Sequence, residues 1–361
     1  MAKVKIIIKK DIYPAYKKLQ EYLKELRKSA TNNGAWALPN GNEYYEYKLK
    51  GETSTNLSAN QIHELGLQEV EKIQTKMKKL LKKENFNPEE LLKDPRYYYP
   101  QSQEARKECL AEYAAILERS RKSFSHLFDI KPQAPVEIKA VPKYEEEDTL
   151  SFPYYLEPSI DGSRPGLFFV NLGYLHEIPK FDMETLTIHE SEPGHHFQIA
   201  LQMESDIPVL RKLGIHNAYA EGWALYTERL ALEEKFYSSP ITEYRHLTYD
   251  LLRAVRLVVD TGIHKKKWSR KQAIEYIQKT TGLPKGTVIS EVERYFVWPG
   301  QACSYKIGQL KILELRQRAK DKLGNKFDIR EFHNIILKIG ATPLKVLEEV
   351  VDEYIQEKLK N

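Results

Sequence analysis

Histidine and glutamate crowd into one stretch, His189-Glu190-Ser191-Glu192-Pro193-Gly194-His195-His196-Phe197-Gln198, which holds three of the chain's 10 histidines. Neutral imidazole nitrogen and carboxylate oxygen are zinc ligands, and a catalytic zinc site keeps one coordination position for water. In hydrolases of the HExxH type, the Glu after the first His is the base that deprotonates that water. Here the spacing differs, because the later histidines stand at i+6 and i+7 from His189 with Pro193-Gly194 in between. On an unbroken helix of about 100° per residue, i+7 returns to the starting face and i+6 lands about 120° away. Pro193, at i+4, cannot donate the hydrogen bond to the His189 carbonyl, so a bulge or kink is expected at Pro193-Gly194. With two residues looped out, His195 takes the place of the second HExxH histidine. His196 stays open as the alternative.

A third ligand is offered by Tyr219-Ala220-Glu221-Gly222-Trp223-Ala224-Leu225-Tyr226-Thr227-Glu228-Arg229-Leu230. Glu221 follows His195 by 26 residues, room for one helix to end and a second to pack against it, with Asp206, Pro208 and Gly214 supplying the break. Ala220, Trp223, Ala224, Tyr226, Thr227 and Leu230 fit a helical stripe that sets Glu221 beside a buried face. A carboxylate in that position is costly unless paired or metal-bound. Glu228 has two readings at this stage: it orients a ligand histidine, or with Arg229 it belongs to a solvated helix face.

These strings make the chain resemble the bacterial family called domain of unknown function 885. The similar segments are HESEPGHHFQ (189–198), AYAEGWALYTERL (218–230), RLVVDTGIHKKKW (256–268) and EVERYFVWPGQACSYKIG (291–308). GAWALPNGNEYYEY (34–47) and DGSRPGLFFVNL (161–172) are similar as well. The resemblance implies a mainly α, zincin-like metallopeptidase fold with a small β-sheet flanking the cleft, distantly related to the glutamate-type zinc peptidases. It implies one Zn²⁺ per chain, with His189, His195 and Glu221 as the expected ligands and Glu190 as the base. It also places Arg256, Asp260 and His264 in one motif, which makes His264 an expected donor to the transition state. Arg294-Tyr295-Phe296-Val297 is similar to the segment by which angiotensin-converting-type peptidases present a tyrosine hydroxyl to the oxyanion. Tyr295 is therefore the expected donor, with Tyr305 as the alternative. Arg256, Arg294 or Lys306 is expected to fix a substrate carboxylate, which would favour a carboxypeptidase or oligopeptidase. Members of the family are usually longer at the N-terminus, implying an upstream helical segment.

The positioning elements follow from periodicity. Amphipathic helices are expected over 11–30 (Tyr16, Leu19, Leu23, Leu26), 59–83 after Ser58, about 101–124, 241–261, 270–281 after Ser269, 330–337 after Asp328 and about 344–358. Residues 34–45 read as a turn-rich packed loop. Prolines from Pro132 to Pro165 exclude long helix, and 136–141, 151–156 and 167–172 read as strands of a small sheet. Phe168 to Asn171 is either a purely structural strand or one that takes up substrate backbone. One domain over 1–361 is expected, helical over 1–130 and carrying the sheet and metal-site helices over 131–361.

Composition narrows the class. At 41% hydrophobic and 30% charged, with a net charge of +5 and interspersed Lys and Glu, the chain reads as globular and not as a nucleic-acid binder. Cys109 and Cys303 are too few for a disulfide framework. No apolar run reaches the ~18 residues of a membrane span. The start, Met1 to Ile8, is too short and charged for a signal peptide, so the chain as given is expected in the cytoplasm, with an exported or lipoprotein form if the N-terminus was trimmed. The expected function is zinc-dependent hydrolysis of a peptide or small amide substrate by attack of a zinc-bound water. The alternatives are a zinc hydrolase of a non-peptide amide or ester and a non-catalytic binding protein of the same fold.

Overall fold

A computed structural model describes residues 2–31, 33–147, 153–214 and 216–360. Its longer helices are α1 (Tyr13–Ser29), α2 (Gly41–Thr53), α3 (Ala59–Glu84), α4 (Gln103–Phe124), α5 (Met183–Glu190), α6 (His195–Glu204) and α7 (Asn217–Glu233). They continue as α8 (Pro240–His264), α9 (Arg270–Thr281), α10 (Lys285–Val297), α11 (Gln301–Leu323), α12 (Ile329–Ile339) and α13 (Leu344–Lys360). Three strands, β1 (Val136–Ala140), β2 (Tyr154–Leu156) and β3 (Gly166–Val170), form one sheet in the order β1-β3-β2. The architecture is mainly helical with a small sheet, as the sequence predicts.

Local chemistry explains where helices begin. Ser58 accepts from the Gln61 amide while the Gln61 side chain returns to the Ser58 backbone, and Ser269 and Gln272 repeat this capping box at α9. The Asp328 side chain accepts from the Arg330 amide at the start of α12.

Helix α8 is the spine of the site. One stripe of it, including Leu247, Leu251, Ala254, Val255 and Val258, packs on Val70, Ile73 and Met77 of α3. Arg253 and Arg256 leave the helix toward a cavity instead. Helices α7 and α11 approach through paired glycines: a Cβ on Gly308 would lie 1.7 Å from the Ala218 carbonyl oxygen, and one on Gly222 would lie 2.5 Å from Gly308. No side chain fits there without separating the helices. Gly308→Ala is therefore expected to destabilise the fold by about 1–3 kcal/mol or more. Calorimetric unfolding checks this, and an unchanged melting temperature would contradict the close approach.

Three expectations are corrected. Residues 34–45 are not all loop, since α2 begins at Gly41 and buries Tyr45, Leu49 and Thr53. That stripe is only one residue wide per turn, and Asn40-Gly41-Asn42 masks its start. Helix α1 forms, but Tyr16, Leu19, Leu23 and Leu26 are exposed and none of its residues is buried. Finally, β3 is the central strand, paired parallel with β1 and antiparallel with β2, so its backbone is occupied on both sides. Phe168 is structural. Among the described residues β2 is an edge strand, and its Tyr154 and Tyr155 line the cavity. Ser151 and Phe152, read from sequence as part of that strand, lie outside the described residues. Among the described residues no helix is long and apolar enough to cross a membrane.

Candidate metal centre

Helix α5 ends at Glu190, and α6 restarts at His195. The sequence predicts a bulge at Pro193-Gly194; the structure shows a complete break of four residues, 191–194. Trp223 on α7 holds this break, donating from Nε1 to the Pro193 carbonyl at 2.9 Å. Arg121 on α4 binds the Glu192 carboxylate at 2.7 and 3.0 Å, and the Ser120 hydroxyl donates to the Glu192 carbonyl. A Cβ at Gly194 would stand 2.1 Å from the His189 carbonyl oxygen and 2.2 Å from that of Ile188, so only glycine allows the chain to turn back there.

The break brings His189, His195 and Glu221 together, with one ligand atom from each within 4.8 Å of the others. Nε2 of His189 lies 3.7 Å and Nε2 of His195 3.3 Å from Oε2 of Glu221. Two donors each ~2.0–2.1 Å from a tetrahedral ion are about 3.3 Å apart, so these separations suit a shared cation. Glu221 Oε2 is buried and has no hydrogen-bond partner among the described residues. An orphaned buried carboxylate oxygen is expensive, and two imidazoles and a carboxylate are a zinc donor set. The residues present therefore fit zinc.

Behind the ligands sits Glu228, 1% exposed, whose Oε1 accepts from Nδ1 of His189 at 2.7 Å. It is not on a solvated face. The bond fixes the tautomer that leaves Nε2 of His189 for a metal. Burial opposes charge on the His189 imidazole, but its contacts with Glu221 and Glu228 outweigh burial and push it up to about 9. Burial likewise opposes ionisation of Glu228, yet Arg253, His189 and His246 hold it below the usual carboxylate range. Glu228→Gln is expected to weaken zinc affinity about 10–100-fold. Competition against a chromophoric chelator measures this, and an unchanged affinity would contradict the orienting role.

Glu190 lines the same cavity and is 9% exposed. Burial raises its carboxyl above the usual range, with His189 and His195 pulling the other way. His196, left open as a ligand, is excluded by its bonds: Nδ1 pairs with the Tyr155 hydroxyl at 2.9 Å and Nε2 with the Ala134 carbonyl at 3.1 Å. It ties the sheet to α6, and its burial lowers it to about 4.

Two expected site residues lie elsewhere. Tyr295 is 1% exposed, donates its hydroxyl to Glu291 at 2.6 Å, and is not on the cavity lining. His264 spends both ring nitrogens on the backbone, Nδ1 accepting from Ala35 and Nε2 donating to the Tyr295 carbonyl, each at 2.9 Å. Both are packing residues. Tyr305, the alternative, does line the cavity, and so do Arg256 and Arg294. Lys306 cannot fix a substrate, because its ammonium is held by Asp250 at 2.7 Å, Gln309 at 2.8 Å and Glu69 at 3.3 Å.

The cavity has a volume of about 610 Å³ and adjoins a second of about 350 Å³, with Pro153, Leu186, Tyr249, Leu252 and Ser290 lining both. Arg253, which carries no expected role from the sequence, lines the first of these cavities. Two arginines at i and i+3 in an otherwise apolar helix were the available signal.

The family described as bacterial protein of unknown function, DUF885, matches residues 1–351. A crystal structure from Colwellia psychrerythraea superposes with a TM-score of 0.93 at 39% identity, covering 97% of this chain and 61% of that one. A structure from Shewanella oneidensis shares the fold with a TM-score of 0.77 at 21% identity, covering 95% of this chain and 65% of that one. Both are described as putative lipoproteins, the second as one of unknown function. The chain thus spans less than two thirds of the length of either. No protein of curated function matches it.

Proposed function

The chain belongs to the DUF885 family, and from that premise we propose that it is a zincin-like, zinc-dependent hydrolase of peptide bonds. The observation that supports this best is the convergence of His189, His195 and Glu221 beside the buried carboxylate of Glu190. Zinc held by those three residues supplies Lewis acidity toward the scissile carbonyl and toward water.

The chain's own residues divide the remaining work. Glu190 takes the proton of the attacking water and returns it to the leaving amine, and its raised carboxyl suits a group that must hold a proton between the two steps. Glu228 keeps the His189 ring in its ligating tautomer and orientation. Tyr305 lines the cavity and Tyr295 does not. Burial raises the Tyr305 hydroxyl, with Arg256 and Arg294 pulling the other way, so it serves as a neutral donor for the developing oxyanion. Among the described residues β2 is an edge strand, and we propose that it pairs with an extended substrate backbone. The cavity of about 610 Å³ that holds the candidate ligands has room for a peptide segment. The description of both solved relatives as lipoproteins supports an exported, lipid-anchored form of the whole protein, in place of the cytoplasm.

Incubating the zinc-loaded protein with a panel of peptides, acylated amino acids and esters tests the reading by mass spectrometry. Peptide cleavage that chelation stops and added zinc restores is expected. Turnover of esters or acyl amino acids alone would move the substrate outside peptides, and no turnover of any substrate would contradict hydrolysis.

A further inference from the structure

One wall of the cavity carries more N–H donors than the protein satisfies. Arg253 is 7% exposed; its Nη2 lies 3.5 Å from Glu228, while Nε and Nη1 have no partner among the described residues. Arg256 is 6% exposed, with Nε and Nη2 on Glu291 at 2.9 and 2.8 Å and Nη1 without a partner. Arg294 donates to Glu291 at 3.3 Å and to Gln301 at 3.2 Å, and its Nε is likewise unpaired. All three line the cavity that contains the metal ligands. The Arg256 guanidinium also lies over the Tyr305 ring at 4.5 Å, which holds its plane.

Buried guanidinium N–H groups left unpaired are costly, and the acceptor that satisfies several at once is a two-oxygen anion. The cavity also carries Glu157, Glu190 and Glu221 beside Glu291, so it is the unpaired N–H groups of the three guanidinium groups, not a surplus of charge, that call for a ligand. Position narrows the ligand further. Arg253 reaches His189 through a single residue, Glu228, and Arg256 stands one turn on, about 4.5 Å along the helix. An anion on this wall therefore lies in the same cavity as His189, His195 and Glu221.

Resting on the hydrolase reading above, we propose that Arg253, Arg256 and Arg294 form a subsite for the free C-terminal carboxylate of a peptide substrate. The protein is then a carboxypeptidase. In the reaction the amide C–N bond breaks, a C–O bond forms from water, and the water's protons pass to the new amine and carboxyl groups. No oxidant or further reactant is needed.

The test compares matched peptides carrying a free C-terminus, a C-terminal amide, or an amide preceded by glutamate, each with the zinc-loaded chain. The free acid is expected to be favoured about 100-fold or more in kcat/KM, a preference that falls below about fivefold in Arg253→Gln and partly returns in Arg253→Lys. Equal rates on acid and amide would overturn the subsite and leave the hydrolase reading standing. Rapid cleavage of the glutamyl amide would overturn it in favour of an acidic side chain. A second readout is independent of turnover: calorimetric binding of N-acetylphenylalanine, against its amide, to metal-free Glu190→Gln protein. Binding of the acid alone, lost in the added Arg253→Gln change, supports the subsite even if no peptide is cleaved. No binding of the acid would overturn it.

Discussion

Glu190→Gln is expected to lower kcat by about 10²–10⁴-fold while zinc stays bound at one ion per chain. Glu190 is the last residue of α5, next to His189, and lines the cavity, but it is not one of the three converging ligands. Glutamine keeps the size and the hydrogen-bonding oxygen and removes only the ability to accept and return a proton. The burial that raises the Glu190 carboxyl also keeps bulk water from replacing it as base. Steady-state rates beside metal analysis read both halves of the expectation. Activity within about threefold of wild type would remove Glu190 from proton transfer, and loss of zinc would recast it as a ligand.

The adjacent histidines should respond in opposite ways. His195→Ala is expected to abolish zinc binding at micromolar metal, because it removes one of the three proposed ligands. His196→Ala is expected to keep the metal and lose stability instead. Its side chain is fully buried, and deletion strands the Tyr155 hydroxyl and the Ala134 carbonyl, at about 1–3 kcal/mol for each buried group left unpaired. Zinc titration with thermal unfolding of both variants checks this. Metal lost from His196→Ala and retained in His195→Ala would reverse the ligand assignment.

Much of this was legible before any coordinates. Capping residues such as Ser58, Ser269 and Asp328 marked helix starts because a side-chain oxygen three or fewer residues from the first turn is a local matter. The convergence of His189, His195 and Glu221 was legible because histidine and glutamate are concentrated there at short spacing. The choice between His195 and His196 was not, since it depends on whether the chain bulges or breaks, and that is decided by Trp223 and Arg121 arriving from other helices. Tyr295 and His264 sat in similar strings to the cavity residues Arg256 and Tyr305. Only three-dimensional packing separates the members of such a string that reach the cavity from those that hold the helices in place. The same holds for strands: the apolar run of β3 revealed burial, but which strand is the edge depends on pairing. Arg253 carried no expected role, because the absence of acceptors for its N–H groups among the described residues is a property of the fold alone.

The central claim is that His189, His195 and Glu221 hold one zinc ion. Anomalous scattering from crystals grown with zinc, recorded on both sides of the zinc absorption edge, tests it most directly. One peak within ~2.0–2.2 Å of His189 Nε2, His195 Nε2 and a Glu221 oxygen, and none at His196, is the expected result. No peak among these three residues, or a peak ligated by a different set, would contradict it.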